Sequence, residues 1–351
     1  MKVLVTGGGG FIGRHVARLL VEAGHDVTVM LAPGESEQGV HRLGVALAHA
    51  DVRDLPAVDA AVRGQEVVIH MAAIYSLWMP DWQPLFDVNV QGTENVLAAC
   101  ADAGVRRVVY TSSIAALGVK PGMAPSDEDT EFNQHGRCGP YILSKYYAER
   151  RVRAAQRAGA PVVTVYPAMP FGPGDHRPTP TGLLLLRSLG GAYFAAGPGG
   201  FNVVDVRDVA RGHLLAMDKA ADGSRYLLSG HHVPMPQFYE LAHQAGGVTR
   251  PVLAVPQWVL AAMGLAGDQV ARFTEPLVDS AAVRYTSQHL TYDCSRAERD
   301  LGYTRRPLAE TFTDAVAWFR ERGYPEPGMG LWALGTRAKM RAAARRELND
   351  G

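Results

Sequence analysis

Tyr141 and Lys145 stand four residues apart in the run Pro140-Tyr141-Ile142-Leu143-Ser144-Lys145, which reads as the start of a long helix. Residues at that spacing share one helix face, so a phenol and an ammonium can address the same ligand. A free tyrosine titrates near pKa 10, too high for ready proton exchange at neutral pH, and a neighbouring ammonium favours the phenolate. Tyr141 is therefore the expected proton donor or acceptor, assisted by Lys145. The apolar strand Val108-Val109-Tyr110 delivers the hydroxyls of Thr111, Ser112 and Ser113 to its carboxyl end, where parallel-sheet proteins bind ligands. Ser113 can hydrogen-bond a substrate oxygen beside Tyr141 and stabilise the charge that develops there. Ser112 has the plainer alternative of capping a turn, and no acid–histidine–serine set points to a hydrolase.

A tyrosine and a lysine four apart are common on helix surfaces, so the pair needs a ligand to act on. Met1-Lys2-Val3-Leu4-Val5-Thr6 runs directly into glycines at 7, 10 and 13 and then into a helix pattern from Phe11 to Glu22, with a second strand at Val27–Leu31. Gly7 permits a sharp turn, Gly10 lets the backbone approach a pyrophosphate, and Gly13 lets the helix lie close on the sheet. The first amides of that helix, at Phe11 and Ile12, then face the phosphates. This context of strand, turn and helix makes the glycine spacing a dinucleotide cradle.

Apolar runs alternate with helix-period segments through the first half, with strands near 2–6, 27–31, 45–50, 66–71, 106–111 and 161–166. The alternation predicts an α/β fold: a doubly wound, Rossmann-type parallel sheet with helices on both faces. One helix is expected from Trp82 to Ala103 and another from Pro140 to about 158. Beyond Pro167 the rhythm becomes irregular, with helices expected at Thr181–Leu189, Val209–Lys219, Met235–Ala245, Gln257–Gly264 and Leu308–Arg322, and strands at Phe201–Val206 and Arg225–Leu228. The expected division is a dinucleotide-binding domain over 1–166 and a small C-terminal substrate-binding lobe over 167–330. Segments near 203–220 return to the main sheet, and 331–351 form a basic helical arm.

Thirty-five basic and thirty-five acidic side chains balance, so no global field draws the chain to nucleic acid or to an anionic membrane. Three scattered cysteines give neither a disulfide framework nor metal spacing, and the twelve histidines form no zinc pattern. Met1 already belongs to the first strand, which leads to the expectation of a cytoplasmic protein without a metal.

Together these motifs resemble the extended short-chain dehydrogenase/reductase family over approximately residues 1–325. The resemblance rests on Gly7/Gly10/Gly13, Asp51-Val52, His70-Met71-Ala72-Ala73, Asn89-Val90-Gln91-Gly92-Thr93, Thr111-Ser112-Ser113 and Tyr141 with Lys145. It looks nearest to dihydroflavonol-reductase-like and hopanoid-associated sugar-epimerase-like members, through Gly172-Pro173-Gly174-Asp175 and Pro178-Thr179-Pro180-Thr181-Gly182. By that resemblance Ser113, Tyr141 and Lys145 form the catalytic group. Asp51 and Val52 meet the adenine, Ala72 and Ala73 line the cofactor, and Thr111, Tyr141, Lys145 and Pro167 complete its site. Asn89 either stabilises its helix beside the site or joins a catalytic water network. Ala32 stands where relatives using the phosphorylated cofactor commonly place Arg, which favours NAD(H) over NADP(H), although Arg14 could meet a 2′-phosphate and Glu35 or Glu37 an unphosphorylated ribose. The family's habit of pairing helices 82–103 and 140–158 between subunits implies a homodimer.

The substrate side is read from bulky residues after the cofactor strands: Tyr75, Trp78 and Met79, then Met169 and Phe171, with Tyr193 and Phe201 as a roof. Such a wall suits a small, largely apolar aromatic or alicyclic molecule with one oxygen aimed at Tyr141. The expected reaction is NAD(P)H-dependent reduction of a ketone, or the reverse oxidation of a secondary alcohol. The alternative is a nucleotide-sugar epimerase or dehydratase, with His176, Arg177, Arg187 and Arg207 answering the diphosphate; Met169 departs from the Asn that such members carry. A noncatalytic dinucleotide sensor is disfavoured by the intact Ser113, Tyr141 and Lys145.

Overall fold

A computed structural model describes residues 1–190, 195–276, 278–324 and 326, so Tyr193 and the 331–351 arm lie outside the described residues. Its centre is a seven-stranded sheet of β1 (Lys2–Thr6), β2 (Asp26–Leu31), β3 (Ala46–His49), β4 (Val67–His70), β5 (Arg107–Thr111), β6 (Val162–Pro167) and β10 (Arg225–Leu228). The strands lie in the order β10-β6-β5-β4-β1-β2-β3, every neighbouring pair parallel. Strands covered on both faces read as unbroken apolar runs, and β4 and β6 are buried at every position.

Alternation along β1 divides the core in two. Val3 and Val5 face α1 (Phe11–Glu22) and α8 (Val206–Lys219) through Val16, Leu20, Val209 and Ala210. Leu4 faces the opposite layer, where α3 (Leu55–Val62), α5 (Gly92–Asp102) and α6 (Pro140–Arg157) supply Val58, Val96 and Val152. The short helices α2 (Gln38–His41) and α4 (Gln83–Phe86) complete this half. Strand order reverses between β1 and β4, which opens a crevice at the carboxyl ends where Thr6, His70 and Thr111 stand.

The lobe is built on a three-stranded sheet in which β9 (Gly200–Asp205) runs parallel to β7 (Met169–Phe171) and antiparallel to β11 (His231–Pro234). Around it lie α7 (Pro180–Gly190), α9 (Met235–Gly246) and α13 (Leu308–Glu321), with a two-residue parallel pair, β8 (Ala195–Ala196) and β12 (Leu253–Ala254), at the edge. The helices α10 (Gln257–Val270), α11 (Ser280–Thr286) and α12 (Ser295–Leu301) follow.

Three sequence expectations change. The strand near 203–206 does not return to the main sheet: Phe201 packs on Phe238, 5.5 Å between rings, and Asp205 ends the strand by accepting from the Arg207 amide at 2.8 Å. The return is made by α8 and then by β10. The single helix expected over 82–103 is α4, a wider π turn at Asp87–Gln91, and α5. Helix α10 runs past Gly264 to Val270, because Gly264 and Gly267 are close contacts and not stops; a Cβ on Gly267 would sit 1.7 Å from the Val278 carbonyl oxygen. Among the described residues no helix is long and apolar enough to cross a membrane.

Candidate active site

The glycine turn leaves a hollow that side chains would fill. Gly7 adopts φ +68°, and a Cβ there would stand 2.8 Å from the Ala72 backbone; one on Gly13 would meet the Gly7 carbonyl at 2.3 Å. Gly10 begins α1 in extended conformation with no side-chain cap, so the first-turn amides of the helix have no side chain of their own serving them. The uncapped amides beside glycines that leave no Cβ in the way suit a pyrophosphate.

The opposite wall is fixed from beneath. Thr6 Oγ1 accepts from the Met71 and Ala72 amides, each at 3.2 Å, holding the Ala72-Ala73 backbone against the turn. His70 lies between Thr6, 2.8 Å from Nδ1, and Thr93, 3.1 Å from Nε2. Thr93 donates to the Asn89 carbonyl at 2.7 Å, so it accepts from His70 Nε2–H and the Thr6 hydroxyl donates to Nδ1. Burial, with the Lys145 charge nearby, pushes the His70 pKa down to about 3, which leaves the ring a neutral structural link. Asn89 sits in the π turn and clasps the next residue of the loop. Its Oδ1 accepts from the Ile74 amide at 2.7 Å, and its Nδ2 donates to the Ile74 carbonyl at 3.0 Å and to Ser144 Oγ at 2.9 Å.

Helix α6 brings Tyr141 and Lys145 to the crevice. Lys145 is buried and donates to the Thr111 carbonyl at 3.2 Å. Burial lowers its pKa to about 8, against the opposing pull of Glu149 one turn on. Burial of the Tyr141 hydroxyl raises its pKa to about 12, tempered by a hydrogen bond with Ser113. The chain by itself thus keeps the phenol protonated. Ser113 is fixed by accepting from the Ala115 amide at 3.1 Å, where it caps the short turn Ile114–Ala116. The Thr111 hydroxyl faces α8, paired with His213 Nε2 at 2.9 Å, so Thr111 serves the crevice through its carbonyl.

Just beyond β3, Asp51 receives Arg53 through its amide and guanidinium, the closest contact being 2.6 Å, which holds its carboxyl below the usual range. Val52 packs where a Cβ on Gly92 would lie, and its carbonyl accepts from Asn95 at 2.9 Å. Pro167 closes β6 opposite Leu228.

A family model described as the NAD dependent epimerase/dehydratase family matches residues 3–229, more than half of the chain. The chain belongs to that family. It is an enzyme of the extended short-chain dehydrogenase/reductase superfamily, whose chemistry is nicotinamide-dependent hydride transfer on small substrates. It is 34% identical over 326 residues to a putative dihydroflavonol 4-reductase of Synechocystis, covering 91% of this chain and 95% of that one. It is 35% identical over 333 residues to sterol demethylase protein B of Methylococcus capsulatus, covering 92% and 99%. Among solved structures it resembles gox2253, with TM-score 0.84, 35% identity and coverage of 92% and 99%. It also resembles PA4631, described as a nucleoside-diphosphate-sugar epimerase from Pseudomonas aeruginosa, with TM-score 0.78, 27% identity and coverage of 93% and 99%.

Ser113, Tyr141, Lys145 and the glycine turn gather at one end of the sheet, with the Tyr75 ring tilted by 42° against that of Tyr141 at 4.8 Å between centroids. Trp78 and Met79 line an adjoining cavity. Phe171 and Phe201 do not reach it: both are buried in the lobe core against Phe238, Phe171 also stacking on Phe312, and Met169 packs against the same cluster. Among the cations offered for a diphosphate, Arg207 is clamped by Asp205 and Asp314, both at 2.7 Å, Arg187 lies 3.8 Å from Glu275, and the His176 ring packs on Trp318 at 5.1 Å. Sequence reasoning missed α11, which brings Ala281, Arg284 and Tyr285 to this side. Its signal was present in Asp279-Ser280-Ala281-Ala282, where Asp279 accepts from the Ala282 amide at 2.7 Å as a helix cap.

Proposed function

We propose that the protein interconverts a ketone and a secondary alcohol on a small, largely apolar aromatic or alicyclic molecule, with NAD(H) in preference to NADP(H). The observation that carries this reading is the packing of the Tyr141 ring on Tyr75, 4.8 Å between centroids, in the crevice where Ser113 and Lys145 are fixed, with burial favouring the neutral phenol. A neutral phenol is ready to give its proton to an oxygen that gains charge during reduction. Ser113 orients and polarises that oxygen, and Lys145 holds the ribose beside Tyr141 while anchored on Thr111. The Gly7–Gly13 turn would cradle the pyrophosphate, Asp51 and Val52 the adenine, and Ala72, Ala73 and Pro167 the nicotinamide end. Bound nicotinamide supplies the hydride acceptor or donor.

The NAD preference is supported by the end of β2, where Ala32 offers no cation and its amide donates to the Glu35 carboxylate at 3.2 Å. That negative charge is unfavourable to a further phosphate at this corner. Arg14 donates its Nε–H to the Gly9 carbonyl at 2.9 Å and so braces the turn.

A second reading, nucleotide-sugar epimerase or dehydratase, is supported by the matching family's description and by the likeness to PA4631. One experiment separates them. Purified protein is offered ketones and secondary alcohols with each nicotinamide cofactor and followed at 340 nm, in parallel with nucleotide sugars followed for epimerised or dehydrated product. Net cofactor turnover that Tyr141→Phe reduces by roughly 10²- to 10⁴-fold supports the first reading. Sugar conversion without net cofactor change selects the second.

A further inference from the structure

At the N-terminal end of α6 lies a cavity of about 480 Å³ between the loop that carries Trp78 and Trp82 and the hairpin of α10 and α11. It adjoins the catalytic helix: Ala281 Cβ is 4.0 Å from where a Cβ on Gly139 would stand, two residues before Tyr141. Its size suits a ligand of a few rings.

The chemistry of its lining is uneven. Trp78 satisfies its indole N–H by donating to the Ala271 carbonyl at 3.0 Å, so what it offers the cavity is an apolar face. Phe273 lines the same space yet is 86% exposed, a large apolar surface with no described residue over it. The two acids in the wall each accept a backbone amide and keep their charge: Asp268 from Ser280 at 2.9 Å, and Asp279 from Ala282 at 2.7 Å as the cap of α11. Arg272 and Arg284 line the cavity as well. Arg284 lies within Coulombic reach of Asp268. Neither guanidinium forms a hydrogen bond or ion pair with a described residue. Two guanidiniums lining the same cavity as tryptophan and phenylalanine side chains are suited to a flat apolar body that ends in an anion, since a guanidinium binds an oxyanion through two parallel hydrogen bonds.

We propose that this cavity takes an aromatic or alicyclic ketone or alcohol bearing one anionic group, a carboxylate or a phosphate ester, which Arg284 and Arg272 hold while the reacting oxygen faces Tyr141. The proposal rests on the ketone–alcohol reading and names its substrate class. Because a charge-assisted hydrogen bond is worth more than a neutral one, the anionic member of a matched pair gains roughly 10- to 100-fold over its uncharged counterpart.

The test uses a cyclic ketone in three forms, carboxylic acid, methyl ester and phosphate ester, and compares kcat/KM with reduced cofactor. Tryptophan fluorescence titration of the same compounds without cofactor provides a second, turnover-free measurement on the intact chain. The expected result is that the acid or the phosphate ester outperforms the methyl ester in both measurements, and that the paired substitutions Arg272→Gln and Arg284→Gln remove most of that preference. The acid and phosphate arms identify which anion is used. Equal kcat/KM and equal binding for acid, phosphate and ester, or a preference that survives in the double variant, overturns the proposal while leaving ketone reduction standing. Absence of turnover in all three forms, together with epimerisation of a nucleoside diphosphate sugar, overturns the underlying reading and this inference with it.

Discussion

Lys145 is held between two opposing influences, burial that favours its neutral form and Glu149 that favours its ammonium. Glu149 does not touch the crevice. It is buried one turn behind, accepting from Arg153 at 3.0 Å and from the Tyr166 hydroxyl. It is therefore a positioning residue, and Glu149→Gln keeps the acceptor oxygen while removing the charge. The variant is expected to move the alkaline fall of kcat/KM, where Lys145 loses its proton, down by roughly one pH unit. An unmoved profile in a folded variant rejects this role. Asp175 presents the opposite linkage. Burial raises its pKa to about 7 although Thr179 donates to it through amide and hydroxyl. The folded state holds this proton more tightly than the unfolded chain, so its contribution is complete below pH 4 and lost as pH rises through 7. Thermal melts of Asp175→Asn should accordingly vary less between pH 4 and 8 than those of the parent protein. Equal slopes would show that Asp175 does not titrate in this window.

At the scale of elements, what the sequence made legible was what repeats or what must turn. The strands of the first half announced themselves as short runs of Val, Leu and Ile because both their faces are buried, and Gly7 announced the turn because only glycine accepts φ +68° against the Ala72 backbone. Contacts made across the chain left weaker traces. Asn89 looked like a residue within a helix; its work is to clasp Ile74, fifteen residues earlier, from a π turn that no local pattern signals. Phe171 and Phe201 looked like pocket residues because aromatic side chains serve equally well in a lobe core, and only the sheet pairing decides between the two. Gly264 read as the end of a helix when it and Gly267 are the seam on which α11 and its lead-in rest. Gly267→Ala is therefore expected to cost about 1–3 kcal/mol, since the new methyl collides with the Val278 carbonyl and forces the α10–α11 hairpin apart. Denaturant melts measure the loss, and because the hairpin also walls the cavity that holds Trp78 and Trp82, ligand-induced tryptophan quenching should weaken in the same variant. A melt within error of the parent protein would mean that the hairpin relaxes freely.

At the scale of the whole molecule, the two long helical segments over 83–102 and 140–157 present an outer surface to which neither sheet face has a claim. Phe86, Val90, Gln91 and Tyr147 border a shallow hollow there, with Glu94 and Arg151 paired across it at 2.8 Å. Tyr147 is 40% exposed, and its ring stands 6.4 Å from that of Phe86. A surface of this kind, with aromatic and aliphatic side chains around a charged pair, is suited to a copy of itself related by a two-fold axis, since an isologous contact sets each aromatic ring against its counterpart. We propose that the protein is a homodimer through these helices. The arrangement would also steady the catalytic helix: Tyr147 follows Lys145 by two residues, so packing its outer face restrains the inner one. Light scattering of the parent protein should return the mass of two chains at micromolar concentration. Tyr147→Glu should shift it toward one chain by placing like charges across the axis, with Tyr141 and Lys145 unchanged in sequence but less well held, so that turnover falls along with the mass. A monomeric mass for the parent protein at every concentration, or a dimer indifferent to Tyr147→Glu, places the contact elsewhere or nowhere.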